Sequence, residues 1–363
     1  MSSSTRDLSF GYCTNVHSGK DLQTALANLE TYATRVRQLT VGDGSLPVGL
    51  WFSQAAADHL LTTNQTTFVR DWLAQRKLLP YTFNGFPQGD FHQSVVKHAV
   101  YEPTWTCQSR AAYTKTLAQI MEAILPEGSL GSISTLPLGW PHAPWHAENY
   151  STAADQLHEL AHYLDRLTQQ RGCEIVVAIE PEPGCVLDTA EGIVEFFEHY
   201  IFRGADGELA RRYITVCHDI CHSGVMFEPQ VRALQMYREA GIRVGKVQVS
   251  SAVHVPWDKV AGDAAAQAAM LDQVQAFHEP KYLHQTTQCS DSSQLTKIAE
   301  DLDIALKRWT SPIPTTPWRI LSRANLCIEL WTETTQADIL LACRYLQNHK
   351  SFQVADRDWF TGH

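Results

Sequence analysis

The feature that most constrains this chain is a series of short, β-rich apolar runs that alternate with helical patterns. Successive runs start 31 to 52 residues apart. Near-continuous apolar runs are typical of parallel strands that are buried on both faces. The predicted strands cover eight ranges: 8–13, 46–52, 79–84, 131–136, 174–180, 213–219, 244–250 and 282–286.

Eight strands that alternate with helices predict an α/β fold, specifically a (β/α)8 TIM barrel. A doubly wound open sheet is the alternative. No GxGxxG or GxxxxGK[ST] pattern follows any predicted strand, which disfavours the nucleotide-binding version of that alternative. The clearest helical patterns cover residues 22–36, 109–124, 153–167, 229–239, 264–277 and 294–308.

The chain length of 363 residues allows two domains, but no low-complexity linker divides the sequence. We therefore predict a single barrel domain over residues 1–363. The Pro-rich stretch 310–317 precedes a segment, 318–363, that does not follow the strand and helix pattern as clearly. We treat that segment as an atypical C-terminal part of the barrel.

Composition and charge indicate which binding partners and which cellular compartment to expect. The formal net charge is −10 and no Lys/Arg cluster is present, which disfavours a nucleic-acid partner. The chain has no apolar stretch of about 18 residues, so no membrane span is expected. The first residues lack the apolar segment of a secretory signal. Nine cysteines, mostly within apolar runs, indicate reduced thiols and a cytoplasmic protein.

Polar residues concentrate where the predicted strands end, which is where a TIM barrel builds its active site. Glu180 and Asp219 end neighbouring strands and are expected to share one divalent cation. Oxygen and imidazole ligands suit Mg²⁺, Mn²⁺ or Zn²⁺, and the identity stays open. Such an ion can polarise a carbonyl or hydroxyl group of a substrate while a nearby base moves a proton.

Individual residues leave alternatives open. Glu180 follows five apolar residues, so it is expected inside the barrel mouth as a ligand or an ion-pair partner. Gln248 lies between valines and is either a ligand or a core amide. His222 lies three residues after Asp219, where it can support the metal, contact a substrate or begin a helix. His218 is expected to face away from the barrel interior if Asp219 faces inward.

The predicted site divides into three roles. Glu180 and His222 are the candidate catalytic residues. The candidate metal ligands are Glu180, Asp219, Gln248 and His284. The candidate substrate contacts are His17, Asn84, His92, Glu182 and Lys246.

The strand-end residues resemble those of the xylose isomerase-like TIM barrels. The resemblance lies in Glu-Pro-Glu-Pro-Gly at 180–184 and in Asp-x-x-His at 219–222. Members of that superfamily include sugar isomerases, epimerases and a DNA-repair endonuclease. The resemblance implies a divalent metal on Glu180, Asp219 and Gln248, and no acid matches the ligand expected on strand eight.

A narrower resemblance is to the metabolite traffic protein EboE family. It is carried in chain order by segments 11–17, 84–87, 131–139, 180–184, 219–222, 245–251 and 282–285. The family implies that the chain acts on, or helps to export, a secondary-metabolite precursor. Its implied partners are a small-molecule metabolite and other proteins of the same gene cluster.

The C-terminal part departs from that family. The expected acidic strand near the end is missing, and residues 321–333 do not follow the family pattern. Residues 353–363 do not follow it either. We interpret both segments as diverged or translated out of frame.

Two functions follow from these observations. The first is a metal-dependent isomerase or epimerase of a sugar phosphate. The second is a non-catalytic barrel that binds a metabolite, for which the aromatic loop from Trp140 to Tyr150 would provide apolar walls. An endonuclease is disfavoured by the acidic charge balance.

Overall fold

The computed structural model describes residues 9–290, 294–321 and 328–331. Within them, the strands run in chain order as β1 Ser9–Cys13, β2 Leu46–Leu50, β3 Leu78–Asn84, β4 Leu130–Thr135, β5 Glu174–Ile179, β6 Ile214–Asp219, β7 Val244–Val249, β8 Ala252–Val255, β9 Thr286–Cys289, β10 Leu295–Ala299, β11 Trp318–Leu321 and β12 Ile328–Trp331.

Helices connect most of these strands. They are α1 Leu22–Asn28, α2 Thr34–Thr40, α3 Gln54–Thr62, α4 Thr66–Gln75, α5 Gln108–Ile124, α6 Ala147–Arg171, α7 Ala190–Phe196, α8 Gly207–Tyr213, α9 Ile220–Val225, α10 Gln230–Glu239, α11 Ala264–Phe277 and α12 Leu302–Trp309. Two π-helical turns, Leu29–Ala33 and Phe197–Ile201, and two 3-10 turns, Lys97–Tyr101 and Trp257–Val260, complete the helical segments of the described chain.

Strands β1 to β7 pair in parallel and form the wall of a closed barrel. Strand β12 closes the ring between β1 and β7 and is antiparallel to both. The predicted α/β TIM barrel is therefore confirmed. The predicted position of its eighth strand is wrong, because the segment 282–286 leads into β9, which belongs to a different sheet.

Apolar burial explains why the seven predicted strands form. Every residue of β5 after Glu174 is buried, and all six residues of β6 are buried. Fully burying one aliphatic side chain stabilises the fold by about 1.5–3 kcal/mol, so such runs are strongly held inside the sheet. Helix α5 packs so closely on β4 that a Cβ at Gly131 would lie 2.5 Å from the Met121 sulfur.

The second sheet has four antiparallel strands in the order β10-β9-β11-β8. It has its own apolar cluster, which includes Trp257, Val274 and Trp318. The predicted helix over 294–308 is wrong in its first half, because β10 occupies 295–299. The helix begins only after Asp301, whose carboxylate accepts a hydrogen bond from the Leu302 amide at 2.9 Å.

Only β11 and β12 of the described structure bear on the interpretation of residues 321–333 and 353–363. Leu321 ends β11, and residues 328–331 form β12. Residues 322–327, 332–333 and 353–363 lie outside the described residues.

Candidate functional site

A cavity of about 590 Å³ opens at the carboxyl ends of the barrel strands. Side chains from the ends of β1, β3, β5, β6 and β7 line it, together with residues from the segment before β9. Eight of the predicted site residues are among its lining: His17, Asn84, His92, Glu180, Glu182, Asp219, His222 and Gln248. This is the position that the fold class predicts for an active site.

One amide connects two buried carboxylates at the floor of the cavity. Gln248 Nε2 donates to Glu180 Oε1 at 2.6 Å and to Asp219 Oδ2 at 2.9 Å. All three residues are at most 5 % exposed. The parallel register places Asp219 directly beside Gln248 across β6 and β7, and Glu180 directly follows β5.

Asp219 is fixed because it ends β6 and begins α9. Its Oδ1 accepts hydrogen bonds from the Cys221 amide at 2.8 Å and the His222 amide at 3.4 Å. The Ser250 hydroxyl donates to the same oxygen. Aspartate is a preferred residue at a helix N-cap, so the local sequence holds this carboxylate in place and presents its other oxygen to Gln248.

The Glu-Pro-Glu-Pro-Gly turn positions Glu180. The Glu180 amide donates to the Thr135 carbonyl at 2.9 Å, which continues the β4–β5 ladder by one residue. Gly184 then takes φ +81°, and a Cβ there would lie 2.9 Å from the Trp140 ring. The turn therefore requires glycine both for its backbone conformation and for the close approach of Trp140.

One ring nitrogen of His222 has a defined hydrogen-bond partner. Its Nδ1 lies 2.8 Å from the Pro181 carbonyl oxygen, which only accepts, so Nδ1 carries the proton. The other ring nitrogen, Nε2, lies 3.9 Å from Asp219 Oδ2. A histidine held in this way is oriented to act through Nε2.

The two carboxyl groups differ in acidity. Burial raises the pKa of the Glu180 carboxyl to about 7, and repulsion from Asp219 and Glu182 acts in the same direction. Burial also acts to raise the pKa of Asp219. Attraction to His222 and hydrogen bonds from Ser250 and Cys221 outweigh that effect, and the net pKa is lowered. The floor thus contains one carboxyl group that titrates near neutrality and one that stays ionised.

The donor set fits a divalent cation. Among the described residues, Glu180 Oε2 and Gln248 Oε1 are buried oxygens without a hydrogen-bond partner. Half a turn of the Gln248 amide exchanges its oxygen and nitrogen and would add the oxygen to the two carboxylates. Asp219, Cys221 and His222 also each offer a ligand atom, all within 4.8 Å of one another. Buried carboxylates with unsatisfied oxygens are the environment that a cation stabilises.

Glu182 forms a second polar cluster beside the floor. Its Oε1 accepts hydrogen bonds from the Tyr101 hydroxyl at 2.7 Å and from Gln285 Nε2 at 2.9 Å. Gln285 Nε2 also lies 2.9 Å from the Tyr101 hydroxyl oxygen. Glu182 is therefore a lining residue that two other side chains hold in one position.

Two predicted site residues are not part of the cavity lining. Lys246 is buried and donates to Ser134 Oγ at 3.2 Å. His284 Nδ1 contacts the Leu321 carbonyl oxygen at 2.7 Å, and its Nε2 lies 3.3 Å from Glu279. The structure thus brings together Glu180, Asp219 and Gln248 but does not place His284 with them at the cavity.

The three remaining substrate-contact predictions lie on another side of the cavity. His17 Nε2 lies 2.7 Å from the Tyr12 hydroxyl, and its ring stacks on Tyr32 with a centroid distance of 4.0 Å. His92 Nε2 contacts the Asn15 carbonyl oxygen at 3.0 Å. Asn84 ends β3, and its Oδ1 accepts from the Phe86 amide at 3.1 Å.

Several lining residues were not predicted from the sequence. They are mostly apolar or aromatic: Tyr12, Val16, Phe86, Pro87, Phe91, Val100, Tyr282 and Leu321. Aromatic residues at strand ends are a weak signal, because most aromatic side chains simply fill a core. Ser250 was also missed, although its position two residues after Gln248 places it beside Asp219.

The aromatic loop from Trp140 to Tyr150 packs away from the cavity. Trp140 is buried against Tyr101, with the ring centroids 5.0 Å apart, and Tyr150 packs against Trp145 and Tyr200. These rings are not among the cavity-lining residues. The apolar walls of the cavity therefore come from other segments.

The sequence matches no protein-family model, and a search of curated proteins finds no match. The fold is similar to solved structures of xylose isomerase-like TIM barrel proteins. One is such a barrel from Mycobacterium smegmatis in complex with magnesium, with TM-score 0.45 and 10 % identity over 83 % of this chain and 94 % of the other. Another is an L-ribulose 3-epimerase, with TM-score 0.43 and 12 % identity over 75 % and 79 %. A third is the IOLI protein with bound zinc, with TM-score 0.39 and 11 % identity over 64 % and 69 %. At these identities the likeness concerns the fold alone.

Within the part of the chain that the structure describes, every helix is too short or too polar to cross a bilayer.

Proposed function

We propose that the chain binds a divalent metal ion, Mn²⁺, Mg²⁺ or Zn²⁺, at Glu180, Asp219 and Gln248. We further propose that it isomerises or epimerises a small hydroxy-carbonyl metabolite there. The observation that carries the proposal is the pair of buried carboxylates joined by the Gln248 amide, with two buried oxygens left unsatisfied. Two carboxylates so close together are stabilised when a cation neutralises them.

The residues of the floor have separable roles in such a reaction. A divalent ion bound there would polarise the carbonyl or hydroxyl oxygen of the substrate. Glu180 would accept a proton from the carbon next to the carbonyl through the carboxylate oxygen that does not bind the ion. His222, whose Nδ1 donates to the Pro181 carbonyl, presents Nε2 for a hydrogen bond with a substrate hydroxyl. Glu182 is positioned to orient a second hydroxyl group.

Metal binding is the direct test. Purified protein stripped with chelator should bind Mn²⁺ in calorimetry. Both Glu180→Gln and Asp219→Asn should weaken that binding about 100-fold or more, because each removes a charged ligand. Glu208→Gln is the matched control, since the Glu208 side chain is 93 % exposed. Unchanged Mn²⁺ affinity in both floor variants would refute the metal assignment.

Proton transfer needs a separate readout. With Mn²⁺ present, the protein should exchange the carbon-bound hydrogens of dihydroxyacetone for deuterium in D₂O, as followed by NMR. Asp219→Asn should lose exchange together with metal, whereas His222→Gln should lose exchange while it keeps most of the metal affinity. Exchange that persists in Glu180→Gln would exclude Glu180 as the base.

The metabolite-traffic role is the finer part of the proposal. It rests on the resemblance of the segments named above to the EboE family. If it holds, the tagged chain should co-purify with other products of its gene cluster, and deletion of its gene should leave a precursor inside the cell.

A non-catalytic metabolite-binding barrel is the second candidate. The apolar lining residues of the cavity favour it, because ligand pockets are largely apolar with a few polar anchors. Tight binding of apolar ligands without any deuterium exchange would support this candidate over the enzyme.

A further inference from the structure

Two chemically different groups of residues line the cavity. The first is three carboxyl groups, those of Glu180 and Asp219 at the floor and that of Glu182 beside it. The second is four aromatic residues, Tyr12, Phe86, Phe91 and Tyr282, which we call the aromatic wall. These four residues come from three separate segments, the end of β1, the loop after β3 and the segment before β9.

Contacts between the loop after β3 and the segment before β9 hold two rings of the aromatic wall in place. The Tyr282 hydroxyl donates to the Phe91 carbonyl at 3.2 Å, and the two rings are 5.7 Å apart. The Val96 amide donates to the Lys281 carbonyl at 2.8 Å. Trp51 packs edge-on against Phe91, with a centroid distance of 5.6 Å. The Phe91 and Tyr282 rings are therefore preformed parts of the wall that need little rearrangement to receive a ligand.

Charge makes the wall a poor phosphate site. Lys281 is the one Lys or Arg among the described lining residues. Burial lowers the pKa of both His17 and His92, so both rings are mainly neutral at pH 7. Phosphate recognition usually relies on guanidinium groups, several ammonium groups or clustered backbone amides. A dianionic group would also share the cavity with the carboxyl groups of Glu180, Glu182 and Asp219.

We propose that the ligand of this cavity joins a hydroxy-ketone, held at the floor, to an uncharged planar apolar group of about phenyl size that packs on the aromatic wall. The hydroxy-ketone half rests on the proposed function. The planar half rests on the wall alone, and it replaces the sugar phosphate expected from the sequence with an aryl or similarly flat substituent.

Two small probes separate these possibilities. 2-Hydroxyacetophenone and dihydroxyacetone phosphate carry the same hydroxymethyl ketone but end in a phenyl ring and a phosphate, respectively. In calorimetry with the Mn²⁺-loaded full chain, we expect the phenyl probe to bind about tenfold more tightly, because its ring is removed from water. Tighter binding of dihydroxyacetone phosphate, weakened by Lys281→Met, would overturn the proposal.

Variants of the wall localise the effect. Phe91→Ala should weaken binding of the phenyl probe about tenfold and change binding of dihydroxyacetone phosphate less than twofold. Phe91→Leu keeps apolar volume and tests the same site if the alanine variant does not fold. Phe68→Ala removes a 53 % exposed ring on α4 and should change neither affinity. Equal weakening of both probes by the Phe91 variants would contradict the proposal.

Removal of the metal distinguishes failure of this inference from failure of the proposed function. With chelator, the phenyl probe should bind more weakly but should still bind better than dihydroxyacetone phosphate. If Mn²⁺ changes the affinity for neither probe and the preference for the phenyl probe remains, the proposed metal-dependent function is refuted and the inference about the aromatic wall is retained. If the phenyl preference is absent both with and without metal, the inference about the wall fails.

Discussion

The parallel barrel and the four-stranded antiparallel sheet contribute different parts of one cavity. Strands β5, β6 and β7 supply the polar floor through Glu180, Asp219 and Gln248. The segment that leads into β9 supplies Tyr282 and Lys281, and Leu321 at the end of β11 completes that side.

The difference between these two regions lies in how their residues are buried. A barrel strand is covered on both faces, so it needs an apolar run that also makes it recognisable in the sequence. Strand β10 of the second sheet has four exposed residues, and its sequence carries no such run. The strands that hold the floor could therefore be located from the sequence, whereas β10 was predicted as part of a helix. Four variants compare the barrel with the second sheet, and they are given from the largest expected effect to the smallest.

Trp318→Ala should have the largest effect. Trp318 is fully buried in the second sheet, with the Trp257 and Trp309 rings each 5.5 Å away. The cavity left by the indole should lower the free energy of unfolding by about 3–5 kcal/mol in urea titrations. Trp318→Phe should cost less. Under native conditions the alanine variant should lose affinity for the phenyl probe and keep its Mn²⁺ affinity. Equal loss of both would contradict the division of the cavity between the two regions.

Gln285→Ala should cost about 2 kcal/mol in urea titrations. The change removes the amide that donates to the buried Glu182 carboxylate and contacts the Tyr101 hydroxyl. Gln288→Ala is the matched control, because Gln288 is only half-buried and its amide donates to Thr316. The control should cost less than about 1 kcal/mol. Similar costs for both variants would show that Gln285 does not hold Glu182 in place.

Glu228→Gln tests electrostatics on the barrel side, where Glu228 Oε1 accepts from the Ala190 amide at 2.8 Å. Burial raises the pKa of Glu228 to about 7. The folded state therefore holds the proton more tightly than the unfolded chain, and stability falls as the pH rises from about 4.5 through 7. The glutamine side chain does not titrate in this pH range, so the variant does not lose this stability.

The original chain and the Glu228→Gln variant should thus be similarly stable at pH 5. At pH 8 the variant should be more stable by about 1 kcal/mol in thermal or urea unfolding. Glu208→Gln, at an exposed position, should show no such pH dependence. A Glu228→Gln advantage that is greater at pH 5 than at pH 8 would reverse the assigned direction of the pKa.

Ile298→Thr should have the smallest effect. Ile298 lies on β10 and is 42 % exposed, so the substitution should change the free energy of unfolding by less than about 0.5 kcal/mol. Ile320→Ala in the same sheet is the buried comparison and should cost about 2–5 kcal/mol. A large cost at Ile298 would mean that this face of the second sheet is covered in solution.

Much of the barrel could be predicted from the sequence because its signal is local. Seven parallel strands lie within one or two residues of their predicted bounds. The eighth was misplaced because pairing, rather than composition, decides membership of a sheet. Segment 282–286 is apolar enough to suggest a strand, yet β9 pairs with β10 and β11 and leaves the edge of β7 to β12.

The site was predictable to a similar degree. Glu180, Asp219 and Gln248 each lie within one residue of the end of a barrel strand, so the topology alone brings them to one edge of the sheet. The positions of Lys246 and His284 depend on the Ser134 hydroxyl and the Leu321 backbone carbonyl, which are 112 and 37 residues away in the sequence. No local sequence pattern predicts such contacts.

The sequence by itself thus determined the α/β barrel, the order of its parallel strands and the carboxylates at its mouth. These follow from burial on both faces of a strand and from the direction of parallel strands. Only the tertiary structure decided that an antiparallel strand closes the ring, that the Gln248 amide connects both carboxylates, and that the aromatic wall lines the same cavity. Those features depend on contacts between distant segments, and they become fixed only when the chain packs and its polar groups must find partners.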